Sequence, residues 1–434
     1  MLFSVIMLPP AVVALFYKDG GFQAFIYSFL ATLISGFILW LACRKTKSPL
    51  RTRDGFLVVV LFWTVLGLFG ALPFILESGI NISITNAVFE SVSGLTTTGA
   101  TVIKDIEHLP HSILIYRQLM QWIGGMGIIV LAVAVLPMLG VGGMQLYRAE
   151  TPGPIKDTKL TPRIAETAKA LWYIYLGLTI ACAIAYGLAG MSTFDAISHS
   201  FSTIAIGGFS THNASMGHFN PLVEVVAVFF MLLAGINFAL HFSAWRGKSI
   251  RVYTLDPEVR MYLFVLGVAA LITTVYLYTS GYHSTLLSAV HHGIFQTVSI
   301  GTTAGFTTDD YSKWPSFLPV MLLFISFIGG CAGSTGGGIK VIRFMLLIKQ
   351  GMREIIRLVH PNATVPIKVG NNPMSSRIME AVWGFFAAYV AAFSVILLIL
   401  MATGLDQTTA FSAVAACMNN LGPGLGQVAS TFSD

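Results

Sequence analysis

The segment SIGTTAGFTT, residues 299–308, interrupts a strongly apolar part of the chain. HHGIFQTV precedes it, and FLPVMLLFISFIGG follows after a short polar turn. Threonines, small residues and Gly305 replace the large apolar residues of both flanks. Such an interruption predicts a break in a helix and a change of chain direction. Its meaning depends on whether the pattern occurs once or several times.

The pattern occurs four times when the chain is aligned on one glycine. The copies read SVSGLTTTGAT, SFSTIAIGGFS, TVSIGTTAGFT and VAACMNNLGPG. A short helical pattern precedes each copy, and long apolar segments flank it. The sequence therefore predicts four units of span, half-helix, glycine loop and span. The aligned glycines are Gly99, Gly208, Gly305 and Gly422, and a small residue recurs twelve positions earlier at Ala87, Ala196, Gly293 and Ala410.

The composition places the chain in a membrane. Of its 434 residues, 55% are hydrophobic and only 10% are charged, whereas soluble domains carry about 25% charged residues. A membrane-spanning helix needs about 20 apolar residues, and the apolar runs are too long for the strands of a barrel. The candidate spans number nine and cover residues 1–17, 21–42, 55–77, 112–140, 168–190, 220–245, 260–280, 315–349 and 378–403.

The positive charges predict the orientation. The net charge is +6, and 21 of the 25 Lys and Arg residues lie in four segments, 43–53, 146–170, 245–260 and 340–377. These segments fall on one side if every candidate spans the membrane. Because basic residues concentrate on the cytoplasmic side, we expect a cytoplasmic N-terminus. This distribution also argues against a nucleic-acid partner.

The reactive residue types do not form a catalytic pattern. The four cysteines show no paired or metal-like spacing, the ten histidines do not cluster as metal sites, and we find no nucleophile with a base. We therefore predict that the chain is not an enzyme and holds no cofactor of its own.

The glycine loops have the chemistry of a cation site. A cation that sheds its water needs replacement oxygens, and rings of backbone carbonyls supply them in potassium channels. Thr302, Thr303 and Ala304 offer such carbonyls, while Gly305 permits the unusual backbone angles. Half-helices that point their C-terminal ends at a common axis would add partial negative charge. The alternative is that each loop is only a re-entrant turn with a glycine for tight packing.

Acidic residues on the outer side or in the half-helices would also attract cations. Glu90 is one of these residues. Asp195 and Asp406 have a second interpretation, as caps for their half-helices.

The segment FIGGCAGSTGGGIKVIR, residues 327–343, breaks the long candidate span 315–349. It does not match a phosphate-binding loop, since the spacing differs and no strand precedes it. A flexible break within the membrane, below the third glycine loop, predicts a gate. Lys340 and Arg343 would lie at the inner mouth of a pore or anchor the helix at the cytoplasmic interface. The predicted gate residues are Gly329, Gly330, Gly333, Ser334, Thr335, Gly336, Gly337 and Gly338.

At these motifs the chain resembles the TrkH/KtrB superfamily of bacterial potassium uptake proteins, and its TrkH branch because of an extra N-terminal hairpin. The marks are TTTGAT, AIGGFST, TTAGFTT, NNLGPGLG and GGCAGSTGGGIKVIR. The resemblance covers essentially the whole chain. It implies an all-α polytopic membrane protein with four non-identical span, pore-loop and span repeats around one pore. The expected parts are a hairpin at 1–50 and repeats at 51–145, 146–250, 251–370 and 371–434. The last repeat lacks its second span, so we expect the native chain to continue or the sequence to be a fragment.

The resemblance also implies the function. We expect potassium uptake across the bacterial inner membrane through a channel-like pore, gated by residues 329–338. Potassium is then the transported ion. Carbonyls beside the aligned glycines would coordinate it. The implied filter residues are Thr97, Thr98, Gly99, Ile206, Gly207, Gly208, Thr303, Ala304, Gly305, Asn420, Leu421 and Gly422.

The resemblance implies a homodimer in the lipid bilayer and a cytoplasmic regulatory ring of the TrkA type as partners. The nucleotides would bind that ring and not this chain.

Two other functions remain open. A carrier that couples potassium to sodium or protons would usually show inverted repeats and ionisable groups at the membrane midplane. Here the four units run in one direction and the loops lack carboxylates, which favours a channel-like path. A membrane enzyme or receptor that binds phosphate at residues 329–338 is the second alternative.

Overall fold

The computed structural model describes residues 1–44, 52–130, 164–315, 317–370 and 372–429. In these ranges the chain is almost entirely helical, and its strands are limited to the antiparallel pair Lys368–Val369 and Asn372–Pro373. The predicted all-α class is confirmed at this level. The helices, numbered in chain order, are α1 Leu8–Tyr17, α2 Phe22–Cys43, α3 Thr52–Gly70, α4 Leu72–Leu76, α5 Ile84–Leu95, α6 His111–Val130, α7 Ile164–Leu188, α8 Thr193–Ala205, α9 Pro221–Ala234, α10 Phe238–Gly247, α11 Arg251–Leu255, α12 Pro257–Thr279, α13 Leu286–Thr302, α14 Leu318–Ile328, α15 Val341–Val359, α16 Ser376–Ala402 and α17 Gln407–Asn419. Short 3-10 helices lie at Leu2–Met7, Ser215–His218, Tyr311–Lys313 and Gly426–Val428.

Several helices have the dimensions of membrane spans. Among the described residues, five are long and apolar enough to cross a bilayer, and a bent pair would make a sixth. The interior holds many polar side chains beside its apolar core, and large apolar side chains cover much of the outside. On α16, for example, only Met379 and Val382 are buried. This distribution fits a protein whose surface faces lipid, and the chain is a multi-pass membrane protein. The five helices cover Phe22–Cys43, Val59–Leu76, Ala168–Leu188, Pro257–Thr279 and Ser376–Ala402.

Not every candidate span is a single straight helix. The predicted span 220–245 consists of α9 and α10, which meet at 92°. Gly235 ends α9, and the side chain of Asn237 accepts a hydrogen bond from Ala239 N to start α10. The predicted span 315–349 is broken between α14 and α15. Residues 2–17 form a 3-10 helix and α1, shorter together than a typical span.

The predicted span 112–140 corresponds to α6 as far as Val130, and its remainder lies outside the described residues. The basic segments 43–53 and 146–170 also lie partly outside them.

Four short helices match the predicted half-helices. They are α5, α8, α13 and α17, with 12, 13, 17 and 13 residues. Each starts in the same way, with a side-chain oxygen that accepts a hydrogen bond from a backbone N–H in the first turn, as good N-caps do. The caps are Ser83, Ser192, Thr285 and Asp406.

Helix α6 packs between the first two half-helices through its glycines. A Cβ on Gly124 would clash with the carbonyl oxygen of Leu95 at the end of α5. A Cβ on Gly125 would lie 3.1 Å from the Cα of Ala205 at the end of α8. Small residues permit such close helix packing in membranes. Because Gly124 and Gly125 are neighbours on α6, the C-terminal ends of α5 and α8 pack against the same turn of that helix.

Candidate functional site

All four half-helices end in the same unusual backbone conformation. The residue two positions before each aligned glycine has a left-handed conformation, and the glycine itself has a positive φ. We call the segments 97–99, 206–208, 303–305 and 420–422 the first to fourth loops. The left-handed residues are Thr97 (φ 59°), Ile206 (54°), Thr303 (71°) and Asn420 (54°), followed by Gly99 (78°), Gly208 (82°), Gly305 (77°) and Gly422 (89°).

A repeated hydrogen bond holds this conformation. In each loop the N–H of the middle residue donates to the carbonyl five residues earlier, the pattern of a Schellman motif. Glycine usually occupies the left-handed position of that motif. Threonine or isoleucine there costs about 1–2 kcal/mol, and backbone strain of this kind is concentrated at functional sites. The four bonds run from Thr98 to Ser93 (2.9 Å), Gly207 to Ser202 (2.8 Å), Ala304 to Ser299 (2.7 Å) and Leu421 to Ala416 (2.8 Å).

The four loops contact one another in a closed cycle through their glycines. Each glycine lies against the carbonyl of the residue that precedes the next glycine, so that an added Cβ would clash. This contact joins Gly99 to Gly207, Gly208 to Ala304, Gly305 to Leu421, and Gly422 to Thr98, where the Cβ would lie 2.9 Å from the carbonyl oxygen.

Two independent features therefore require glycine at the aligned positions: the positive φ angle and the close approach of the neighbouring loop. The structure brings all twelve predicted filter residues together, although they come from four distant parts of the sequence. One side-chain bond also closes the cycle, since Thr98 Oγ1 lies 3.2 Å from Asn420 Oδ1.

A buried ion pair supports the first and second loops. Arg117 on α6 pairs with Glu90 on α5 at 2.7 Å, and both side chains are at most 1% exposed. Arg117 also donates to the Ser210 carbonyl (3.2 Å), and its guanidinium lies 4.2 Å from the centre of the Phe209 ring. Glu90 accepts hydrogen bonds from Thr101 Oγ1. Glu90 is therefore a structural partner of Arg117 and does not attract cations from outside, contrary to our expectation.

Gln121, one turn further along α6, binds the second loop directly. Its Nε2 donates to the Gly207 carbonyl at 2.6 Å, and its Oε1 accepts from Phe209 N at 3.2 Å. Sequence reasoning missed Arg117 and Gln121. The sequence did contain a signal for both residues, since each is a polar residue within an apolar candidate span. Polar and ionisable residues in a membrane are energetically costly and are usually functional.

The predicted gate residues form an irregular segment directly beneath the half-helices. Gly337 N donates to Thr303 Oγ1 at 2.6 Å, and Gly338 N donates to the Asn419 carbonyl at 3.0 Å. Thr335 Oγ1 donates to the Ile204 carbonyl at 2.9 Å. The glycine-rich segment, residues 329–338, thus contacts the ends of α8, α13 and α17. The segment contacts the third loop at Thr303 and, beyond the expected position, also the ends of the second and fourth half-helices.

Lys340 and Arg343 follow the glycine-rich segment and point to different neighbours. Lys340 Nζ donates to the Gly336 carbonyl, within the segment itself. The guanidinium of Arg343 lies 4.1 Å from the centre of the Phe385 ring on α16. Lys340 therefore holds the segment, while Arg343 holds α15 against a neighbouring helix.

The two acidic residues at half-helix starts differ. Asp406 is the N-cap of α17, as predicted, and accepts from Thr409 N at 3.0 Å. The pKa of Asp406 is lowered by the hydrogen bonds from the side chain and backbone of Thr409. At α8 the cap is Ser192, and Asp195 lies in the first turn, where it accepts hydrogen bonds from Ser192 Oγ and Thr211 Oγ1.

Comparisons with known proteins identify the family of this chain. The model of the TrkH family, described as cation transport proteins, matches residues 21–434. The chain is 59% identical to the Trk system potassium uptake protein TrkH of Vibrio parahaemolyticus and 58% identical to that of Escherichia coli K12, with alignments covering 100% of this chain and 90% of each relative. It is 45% identical to the E. coli protein TrkG, over 99% of this chain and 89% of TrkG. The crystal structure of the potassium transporter TrkH from V. parahaemolyticus superposes with a TM-score of 0.91 at 56% identity, covering 100% of this chain and 90% of the other.

Proposed function

The chain belongs to the TrkH family of cation transport proteins, and on that premise we propose that it takes up potassium through a pore lined by the four loops. It is a transport protein and not an enzyme. Its relatives with 58–59% identity carry the name potassium uptake protein. The closed cycle of contacts among the four aligned glycines is the observation that carries the proposal.

The loop carbonyls are the proposed ligands of potassium. In the proposal, the carbonyls of Thr98, Gly207, Ala304 and Leu421 form one ring, and those of the left-handed residues form a second. Backbone oxygens replace the water of a potassium ion. The proposal is supported by the absence of a side chain at each aligned glycine, because a Cβ there would displace the ring carbonyls.

The half-helices supply the electrostatics of the proposed site. Each ends at its loop, and a helix C-terminus carries a partial negative charge of about half an electron. Four such ends around one opening favour a cation without placing a carboxylate there. The neutral lining suits an ion that must also leave quickly.

The glycine-rich segment is the proposed gate. It lies against the ends of three half-helices, and its bonds to Thr303 and Asn419 close the inner side of the third and fourth loops. An open state requires these bonds to break. Seven of the ten residues in 329–338 are glycine or alanine, which lowers the steric cost of such a movement.

We further propose that a cytoplasmic regulatory ring of the TrkA type acts on this gate, in a homodimer located in the bacterial inner membrane with a cytoplasmic N-terminus. Helix α15 begins at Val341, immediately after the glycine-rich segment. Lys349 and Arg357 lie on this helix, in one of the basic segments. A partner that binds α15 would therefore pull directly on the proposed gate.

Ion flux into liposomes tests the proposal. The reconstituted chain should pass potassium in preference to sodium under an imposed potential. In the Gly305→Ser variant the new side chain meets the Leu421 carbonyl, and we expect potassium over sodium selectivity to fall at least tenfold. Unchanged selectivity would contradict a carbonyl filter. Flux that requires a sodium or proton gradient would indicate a coupled carrier instead.

Gly281→Ser is the matched control for Gly305→Ser. Gly281 also has a positive φ, 71° against 77° for Gly305, but a Cβ there meets no atom within 4 Å. Both variants carry similar backbone strain, and only Gly305→Ser disturbs a loop. We expect Gly281→Ser to retain wild-type selectivity.

A further inference from the structure

A group of side chains of metal-ligating types lies in the segments that follow the first and second loops, and none of them is a proposed filter residue. Glu107, His212 and His218 place one ligand atom each within 4.8 Å of one another. Glu107 follows the first loop in the sequence, and both histidines follow the second. Two imidazoles and a carboxylate are ligands that Zn²⁺ prefers, whereas Mg²⁺ and Ca²⁺ prefer oxygen alone.

His212 is oriented as a metal ligand usually is. Its Nε2 lies 3.6 Å from Asp195 Oδ1, while its Nδ1 faces Glu107 Oε1 at 3.9 Å. A ligating histidine commonly donates its other N–H to a carboxylate, which fixes the tautomer. Here Nε2 is buried and makes no hydrogen bond within the described residues, and Asp195 Oδ1 is the carboxylate oxygen that it faces. A small approach of Nε2 to Asp195 would complete that hydrogen bond and leave Nδ1 to accept a metal on the side of Glu107.

The surroundings hold this arrangement in place. Asp195 Oδ1 accepts a hydrogen bond from Thr211 Oγ1 at 2.7 Å, so the carboxylate behind His212 is fixed. Ile106 N donates to Asn213 Oδ1 at 3.1 Å, which ties the chain at Glu107 to the chain at His212. The two peptide segments are therefore adjacent before any ion binds.

His218 is the adjustable member of the group. Its ring stacks on that of His212, with centroids 3.6 Å apart and planes 8° from parallel. Parallel rings do not direct their nitrogens at one point, so His218 must rotate to bind the same ion. Its exposure permits that rotation, as the exposure of Glu107 permits a small approach.

We propose that Glu107, His212 and His218 form a Zn²⁺ site that links the segments after the first and second loops, with water as the fourth ligand and Asp195 as the positioning residue. The site is separate from the proposed potassium filter and does not depend on it. A bound ion would strengthen the connection that Asn213 already makes between the two segments.

Calorimetric titration of Zn²⁺ into the purified, tag-free protein in detergent tests this site. We expect one saturable site whose affinity falls at least tenfold in His212→Gln, in His218→Gln and in Glu107→Gln. Asp195→Asn should weaken binding by about tenfold, the lower end of the usual effect of such partners. His108→Gln is the control, because His108 lies next to Glu107 but pairs with Asp105.

No saturable binding, or equal affinity in wild type and the His212→Gln/His218→Gln double variant, would overturn the proposal. Binding that is lost in His108→Gln as strongly as in His212→Gln would also overturn it. Replacement of Zn²⁺ by Co²⁺ provides a second measurement that does not depend on affinity. The visible absorption of a tetrahedral site should appear in the wild type and be absent from His212→Gln.

Discussion

The first two loops and the last two loops share one backbone conformation but are held by different means. Behind the first and second loops lies a buried network of charged and amide side chains on α5 and α6, centred on Arg117, Glu90 and Gln121. Beneath the third and fourth loops lies the glycine-rich segment, whose bonds to Thr303 and Asn419 involve backbone N–H groups. Its Thr335 side chain also reaches the end of α8. Charged and amide side chains hold the first two loops, whereas backbone N–H groups of a closely packed glycine-rich segment contribute to holding the last two.

We expect the first two loops to be the rigid part of the proposed pore, and the segment beneath the last two to be the part that moves. A buried ion pair with satisfied hydrogen bonds is costly to break, because either charge left alone is poorly solvated. Single hydrogen bonds from a glycine backbone each contribute only about 0.5–1.5 kcal/mol. We therefore expect changes behind the first two loops to reduce stability and selectivity, and changes beneath the last two to alter the rate of flux.

The largest effect should follow from breaking the ion pair. Arg117→Met leaves the Glu90 carboxylate buried without its partner, and such a loss typically costs about 3–5 kcal/mol. We expect a marked fall in the thermal unfolding midpoint in detergent.

The double variant Glu90→Gln/Arg117→Met is the control, since no unpaired charge remains. It should recover most of the lost stability. Equal destabilisation in the single and double variants would show that the pairing of the two charges is not what holds these loops.

The next effect concerns the second loop alone. Gln121→Leu leaves the Gly207 carbonyl and Phe209 N without their partner, and each unsatisfied buried group costs about 1–3 kcal/mol. We expect a clear loss of potassium selectivity in the liposome assay.

Gln118→Leu, on the same helix, provides the comparison. Gln118 makes one long bond to the Phe209 carbonyl, at 3.4 Å, and its Oε1 has no partner among the described residues. Selectivity should therefore change little. An equal loss in both variants would argue against a specific role for Gln121.

A smaller effect, of a different kind, is expected beneath the third loop. Thr303→Val removes the acceptor for Gly337 N, and the loss of about 0.5–1.5 kcal/mol should raise potassium flux at a fixed potential by roughly twofold to tenfold. Thr303→Ser keeps the hydroxyl and should behave as wild type. Lower flux with reduced selectivity in Thr303→Val would mean that the hydroxyl supports the filter and does not restrain a gate.

The smallest effect should come from the side-chain bond that closes the cycle. Thr98→Val removes the contacts of the Thr98 hydroxyl to both Asn420 and Thr96, but the site is only partly buried and Thr96 Oγ1 keeps its bond to the Val92 carbonyl. We expect a loss below about 1 kcal/mol and less than a tenfold change in selectivity. A larger loss than in Gln121→Leu would reverse the proposed order of importance.

The sequence predicted the repeated elements well, because each repeat carries its own local signals. The half-helices, their small buried residues and the positive φ of the aligned glycines follow from spacing and residue type. The left-handed residues two positions earlier were not predictable in this way, since threonine and isoleucine disfavour that conformation. Only the neighbouring loops, which arrive from distant parts of the chain, make it necessary.

The supporting contacts were harder to predict for the same reason. Arg117 and Glu90 are 27 residues apart and on different helices, so no sequence period connects them. The bend between α9 and α10 had a local signal in Gly235 and Asn237, but the apolar residues on both sides resembled one continuous span. Local rules identified the repeats, and the contacts between repeats required the structure.

An anomalous diffraction experiment with thallium, a heavy monovalent substitute for potassium, tests the central claim most directly. Crystals grown with thallium should show an anomalous peak enclosed by the carbonyl oxygens of Thr98, Gly207, Ala304 and Leu421. The Gly305→Ser variant should lose that peak and keep its fold. A wild-type structure with thallium bound elsewhere, and none among these four carbonyls, would contradict the account.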